Sequence, residues 1–484
     1  MTGRPDLDKC QQNKRCNWNQ RNIVRRGCKM QRSRKKETTA RNKKTLLLRP
    51  AQHWSRIGRN VTLNQVAALT DESWYKKEPR ALKQSHLKVV CVFRLVHRLL
   101  VKFFRMRSQV IWLLAVAAVA PVCSASGSCN KQLLPDLTFT LDGANLDWPC
   151  SSTKSIYTSS GRYISKHVIT TRVQIYKDEA IVLTPRYKTG VPFTLGKMPL
   201  RSKNCHPVIT PFPCWSLQEE GNCQALQSAV DIFLDAQDIL WVLDVGIVNT
   251  LEQPIRRCPP KIVAISAKTG KVVKVIDLSE LVCSASRLQY LVVDYDQDGR
   301  CYAYVSDAAT RAILVYDVTN SKGYRVVLPK AVTKGSSTKD VLYLALIRKS
   351  CGTNVLYFTY LSSARLFSIK AHHLRRGSAK GTVVDVGPKH RSIVILGTDN
   401  GSAMFFRLKG ESDIYMWNTE TSFKSDNFLL VQKGTECRLA THVVPGYKRL
   451  MWVLESNFHD YIQNRVGCAG ASVSLHPLVK SCES

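Results

Sequence analysis

From about residue 157 onward, apolar and polar positions alternate with a period of two, in runs rich in Val, Ile, Leu and aromatic residues. That period belongs to β-strands, and helical spacing is scarce. Turn signals divide the runs. Asp231–Asp235 and Ile239–Leu243 flank Ala236-Gln237-Asp238. Lys261–Ile265 and Val272–Ile276 flank Lys268-Thr269-Gly270, and Leu291–Asp294 and Cys301–Val305 flank Asp296-Gln297-Asp298-Gly299. Each reads as a hairpin. One short, very apolar strand recurs, centred on Val182, Trp241, Tyr302, Tyr357, Phe405 and Trp452. Its spacing lies between 47 and 61 residues, room for about four strands with their loops per repeat. A strand apolar on both faces needs a sheet on either side, and radial repetition supplies one. The pattern predicts an all-β chain folded as a six-bladed β-propeller over residues 157–465, with 127–156 as a lead-in and 466–484 as a C-terminal tail. Stacked sheets are the alternative, which the regular spacing disfavours.

Composition changes the picture mainly at the N-terminus. The 484 residues carry a formal net charge of +35. Residues 1–107 hold 28 Lys and Arg against 6 Asp and Glu, a net +22. The remainder is only +13, so the overall charge does not make the propeller a nucleic-acid binder. Residues 1–105 read as a disordered basic extension, such as an alternative start would add. Met106-Arg107, the apolar run Val110–Val122 and the small residues Cys123-Ser124-Ala125-Ser126 form the three parts of a secretory signal peptide, placed at 106–126. The run is short for a stable membrane span. A signal-anchor, with Arg94, Arg98, Lys102, Arg105 and Arg107 on its cytoplasmic side, is the competing reading. Twelve of the 17 cysteines follow residue 126, widely spaced and without a C-x-x-C. Disulfides in an oxidising, extracellular compartment fit that usage better than a metal site. Asn400-Gly401-Ser402 is a glycosylation sequon on an expected turn.

Candidate chemistry is sparse. No G-x-S-x-G, H-E-x-x-H or P-loop is present, no catalytic residue is marked, and neither a cofactor nor a metal is implied. Asp294-Tyr295-Asp296-Gln297-Asp298-Gly299 copies half of a calcium loop but lacks its closing Glu, so a tight acidic hairpin is expected there. Asp244 and Asp307 end apolar strands at equivalent points of two repeats. In a propeller such ends gather at the mouth of the central channel. There they either hold a cationic amine, with Tyr357, Tyr360 or Phe458 in aromatic contact, or cap turns by accepting backbone N–H bonds.

The stretches Leu240-Trp241-Val242-Leu243-Asp244-Val245-Gly246, Cys258-Pro259-Pro260-Lys261-Ile262, Leu291-Val292-Val293-Asp294 and Ala303-Tyr304-Val305-Ser306-Asp307 resemble the yellow / major royal jelly protein family of insects. So do Leu314-Val315-Tyr316-Asp317, Leu356-Tyr357-Phe358 and Trp417-Asn418, and the likeness runs over about residues 150–465. The resemblance implies a secreted six-bladed propeller. Branches of the family are linked to pigmentation and dopachrome conversion, to binding of biogenic amines, or to nutrition. Trp148-Pro149-Cys150 through Arg162-Tyr163 is most similar to the yellow-g branch, associated with the eggshell and vitelline membrane. Met416 stands where the family often has Cys. The resemblance also suggests a disulfide between Cys258 and Cys301, which flank family motifs in adjacent repeats. The expectation is a secreted, non-enzymatic component of an extracellular matrix such as the eggshell, partnered by matrix proteins. Dopachrome conversion and amine binding are the alternatives, with a small amine or quinone as ligand; either needs an open pocket with converging polar groups.

Overall fold

A computed structural model describes residues 135–334, 340–389, 393–434, 437–468 and 470–478. The expected basic extension and signal peptide lie outside the described residues. Six four-stranded antiparallel sheets form the framework of the described chain, with short helices and a two-stranded sheet in their connections. Blade one comprises Arg172–Tyr176, Glu179–Leu183, Leu195–Pro199 and Thr210–Pro211; blade two comprises Ala229–Leu234, Ile239–Asp244, Lys261–Ser266 and Val272–Asp277. Blade three runs through Leu288–Tyr295, Cys301–Asp307, Ala312–Asp317 and Lys322–Val327, and blade four through Leu342–Arg348, Asn354–Tyr360, Arg365–Lys370 and Val384–Pro388. Blade five holds Ile393–Thr398, Ala403–Leu408, Ile414–Asn418 and Phe428–Gln432. The first strands of neighbouring blades touch in a closed circle, the sixth against the first. The chain is a six-bladed β-propeller, and each recurrent apolar motif of the sequence is the second strand of its blade.

Blade six closes the ring. Its strands Leu439–Pro445, Met451–Ser456 and Val473–Pro477 are joined by Phe139–Leu141 from the other end of the chain, with Phe139 opposite Leu475 and Leu141 opposite Val473. The lead-in and the tail therefore each give a strand to the ring, which extends past the expected 157–465. Phe139 and Leu141 point inward at alternate positions, as the pleat requires, and the Phe139 ring stacks on Trp452 at 6.4 Å. The apolar core lies between blades. Val182, Leu243, Tyr304, Phe358, Phe406 and Trp452, all on second strands, are fully buried against the next sheet. No helix among the described residues is long and apolar enough to cross a membrane.

Cysteine pairing departs from the expectation. Cys258 is bonded to Cys223, 35 residues earlier, and Cys301 is a free buried thiol. The reason is geometric. Second strands end at the face where Asp244 and Asp307 sit, and Cys258 precedes Lys261, which pairs with Asp244. Cys301 begins its seven-residue strand at the opposite face. Such a strand spans roughly 20 Å, about three times the Cα separation a disulfide bridges. Cys150, Cys205 and Cys214 are also disulfide-bonded.

Candidate functional site

The first strand of every blade lines the central channel, a narrow space of about 70 Å³. Arg172, on the first strand of blade one, reaches across it. Its Nε donates to Asp231 Oδ1 at 3.2 Å, and its Nη1 donates to the carbonyls of Thr171 at 3.0 Å and Thr441 at 3.3 Å. The guanidinium lies 5.2 Å from the centre of the Tyr290 ring. Asp231 in turn accepts the Leu291 N–H at 2.8 Å, so one cation links blades one, two, three and six. Burial opposes the charge of Arg172, but Tyr290 and Asp231 outweigh it and raise the guanidinium above its ordinary range. Burial pushes the Asp231 carboxyl up to about 6 against the pull of Arg172.

His442 stands beside this cation. Its Nδ1 accepts the Val173 N–H at 3.2 Å, which requires that nitrogen to be unprotonated. Burial, with Arg172 adding repulsion, pushes the imidazole down from 6.5 to about 3. The unfolded chain therefore binds this proton first. The stability His442 contributes is full above pH 6.5 and is lost as pH falls toward 3. Urea unfolding of the parent and of His442→Gln, which keeps an acceptor, is expected to show the parent's advantage shrinking steadily over that interval. A constant difference would contradict it.

Above the channel, on the face where the second strands end, opens a cavity of about 250 Å³. Arg172 forms its floor, and Tyr187, Thr250, Cys283, Arg287 and Gln289 line its walls with apolar neighbours. Gln289 is only 5% exposed. Its Oε1 accepts the Leu342 N–H at 2.9 Å, while its Nε2 has no partner among the described residues. Thr250 Oγ1 is likewise buried without a partner among the described residues. A buried donor left unpaired costs about 1–3 kcal/mol, and both residues border the cavity. Burial pushes the Tyr187 hydroxyl up to about 12, and its ring is an uncharged aromatic wall at neutral pH.

The sequence-predicted aspartates stand one layer behind this cavity. Asp244 is fully buried and accepts the N–H groups of Gln227 at 2.8 Å, Ser228 at 2.9 Å and Gly246 at 3.0 Å, with Lys261 Nζ at 3.3 Å. Gly246 has φ +67, and a Cβ there would meet the Cys258 carbonyl oxygen at 2.0 Å, so only glycine fits this turn. Asp307 accepts the Ser286 hydroxyl at 2.6 Å, the Arg287 N–H at 2.9 Å and the Thr310 hydroxyl at 2.6 Å. Both carboxylates thus hold the loops that form the rim. They are the turn caps of the two readings weighed above, and neither lines the cavity.

The aromatic candidates are packed similarly. Tyr360 is buried and donates its hydroxyl to the Ala308 carbonyl at 2.7 Å, next to the rim residue Ala309. Phe458 packs behind Tyr187, ring centres 5.7 Å apart. Tyr357 lies farther out, edge-on to Trp417 at 5.7 Å. The structure brings Asp244, Asp307, Tyr360 and Phe458 to the support of one rim and leaves Tyr357 between blades four and five. Asn400 lies on an exposed hairpin turn at the opposite end of the channel, with φ +64. The acidic run around Asp296 is a hairpin turn as well, in which Asp296 Oδ1 accepts the N–H groups of Asp298 and Arg300.

A family model described as "Major royal jelly protein" matches residues 227–482. The chain belongs to the major royal jelly protein family. Among its relatives, dopaminechrome tautomerase of Drosophila melanogaster is 27% identical over 331 residues, covering 62% of this chain and 71% of that protein. Major royal jelly protein 1 of Apis mellifera is 24% identical over 301 residues, covering 57% and 68%. The family match spans blades two to five and three of the four strands of blade six, and with them most of the rim: Thr250, Cys283, Arg287 and Gln289. Arg172 and Tyr187 come from the part of the ring before it. No short motif in the sequence announces these cavity residues. The one signal that bears on them is the long connection between the outer strand of blade two and the first strand of blade three, which carries Cys283 and Arg287.

Proposed function

We propose that the mouth cavity takes a small, planar, oxygen-bearing quinonoid of the aminochrome class and promotes its tautomerisation. The observation that carries this reading is the cationic lining of the cavity by Arg172, Arg256 and Arg287, beside Gln289 with its unpaired amide N–H. Among the described residues no carboxylate lines that cavity, so its charge suits electron-rich oxygens rather than an ammonium group. The volume, small for a ligand pocket, suits one or two fused rings. In such a tautomerisation a proton leaves a ring carbon while negative charge builds on the quinone oxygens. Donors fixed around those oxygens lower that barrier, and water at the open mouth takes the proton. The name of the Drosophila relative agrees with this chemistry. The purified protein is expected to consume dopaminechrome well above the buffer rate; a rate equal to buffer would remove the proposal.

A second reading keeps the protein as a secreted matrix component, as the yellow-g likeness of residues 148–163 suggests. The supporting observation is a set of exposed apolar side chains on the outer strands of four blades: Val273, Val275, Val327, Val384 and Leu429. They offer a rim for side-by-side association. The bonded cysteines and the exposed sequon turn at Asn400 agree with export and glycosylation. Recovery of the protein in soluble form from eggshell, without reduction of disulfides, would count against this role.

A further inference from the structure

We propose that Cys283 is a covalent capture site for electrophilic ortho-quinones, which its thiol binds as a thioether at the wall of the mouth cavity. The inference rests on the quinonoid reading of that cavity and goes past it. Cys283 is a free, exposed thiol, and it lines the same cavity as the unpaired donor of Gln289. Gln289 and Cys283 border one space, so a quinone held there lies beside the thiol.

The loop that carries the thiol is fixed. The Cys283 N–H donates to Ser286 Oγ at 3.0 Å, and the Ser286 N–H donates back to the Cys283 carbonyl at 3.0 Å. The Ser286 hydroxyl faces Asp307 Oδ2 at 2.6 Å and Cys283 Sγ at 3.6 Å.

The chemistry balances without an outside oxidant. A sulfur lone pair forms a C–S bond to a ring carbon, and ring electrons move onto a quinone oxygen. That oxygen takes the thiol proton. The attacked carbon then loses its hydrogen, which ends on the second oxygen, and the ring becomes an aromatic catechol. The two electrons that reduce the quinone come from exchanging one S–H and one C–H bond for one C–S bond and two O–H bonds.

Two of the other free thiols among the described residues are built-in comparisons. Burial pushes Cys301 up to about 12, which makes it a poor nucleophile. Cys351 is exposed, and its thiol is lowered by Thr353, yet it does not line the cavity. Thiol reactivity alone would therefore label Cys351 as readily as Cys283.

The test uses the full chain and methylcatechol oxidised by periodate to its quinone, limiting in amount, with peptide mapping of the adducts. Cys283 is expected to be labelled at least about tenfold faster than Cys351, a small part of what proximity can supply. Excess unoxidised methylcatechol should suppress that preference, and Gln289→Glu should reduce it. Equal labelling of Cys283 and Cys351, or no adduct on Cys283, would overturn the proposal. Saturable quenching of protein fluorescence by dopaminechrome separates the two ideas. Quenching without a Cys283 adduct overturns capture and leaves the quinonoid site standing, whereas neither quenching nor adduct overturns both.

Discussion

Replacing Phe139 and Leu141 together by alanine is expected to lower stability by about 5–8 kcal/mol, the sum of two large-to-small core changes. Both side chains are almost fully buried, and both belong to the cluster that joins blade six to blade one through Trp452 and Leu475. Their strand has only three residues, so its pairing with Val473–Pro477 depends on these two anchors rather than on length. Losing them frees the segment that ties the two ends of the chain and opens the circle at one seam. A ring-shaped domain of ordinary stability has about 5–15 kcal/mol to lose, so the double variant gives up a large share of it or all of it. Chemical denaturation measures this directly. A drop of less than about 2 kcal/mol would mean that the seam is held elsewhere.

Arg186→Met should have the next largest effect, at least about 3 kcal/mol. Arg186 is buried, and its five N–H directions are all used on main-chain carbonyls. Nε donates to Val191 at 3.0 Å, Nη1 to Leu226 at 3.0 Å and Gln227 at 2.6 Å, and Nη2 to Pro192 at 2.9 Å and Gln218 at 2.5 Å. These carbonyls belong to loops of blade one and to the passage into blade two, so one planar cation staples two blades. Methionine fills much of the volume but leaves five buried acceptors without a donor. Arg186→Lys should recover only part of the loss, because an ammonium offers three donors and cannot match a planar fork. A melting temperature for Arg186→Lys equal to the parent's would show that charge alone suffices.

The parts of the fold that the sequence made legible are those buried on both faces. Val182, Trp241, Tyr302, Tyr357, Phe405 and Trp452 all fall on second strands, where neighbours on either side demand apolar residues along the whole run. Outer strands are half exposed and read poorly: Lys322–Val327 mixes charge, glycine and valine, and Thr210–Pro211 is too short to show any period. The closing strand was illegible for a second reason. Its partner lies more than 300 residues away, and a three-residue pattern cannot announce such a pairing.

The site followed the same rule. Asp244 and Asp307 were visible because they end legible strands at equivalent positions. The cavity residues Arg172, Tyr187 and Gln289 were not visible, since they sit on separate segments that meet only when the ring closes. Cys258 was placed correctly beside a family motif. Its partner was missed because adjacency of repeats says nothing about which end of a strand a cysteine occupies.

The most direct test of the mouth cavity as the functional site is the rate of dopaminechrome tautomerisation by Gln289→Glu against the parent. Glutamate keeps an oxygen for the Leu342 N–H, removes the unpaired amide donor and sets a negative charge at the cavity wall. With unfolding curves showing both proteins folded, the variant should be slower by about a hundredfold, as for loss of one oxyanion donor. A variant that turns over dopaminechrome as fast as the parent would place the chemistry somewhere other than this cavity.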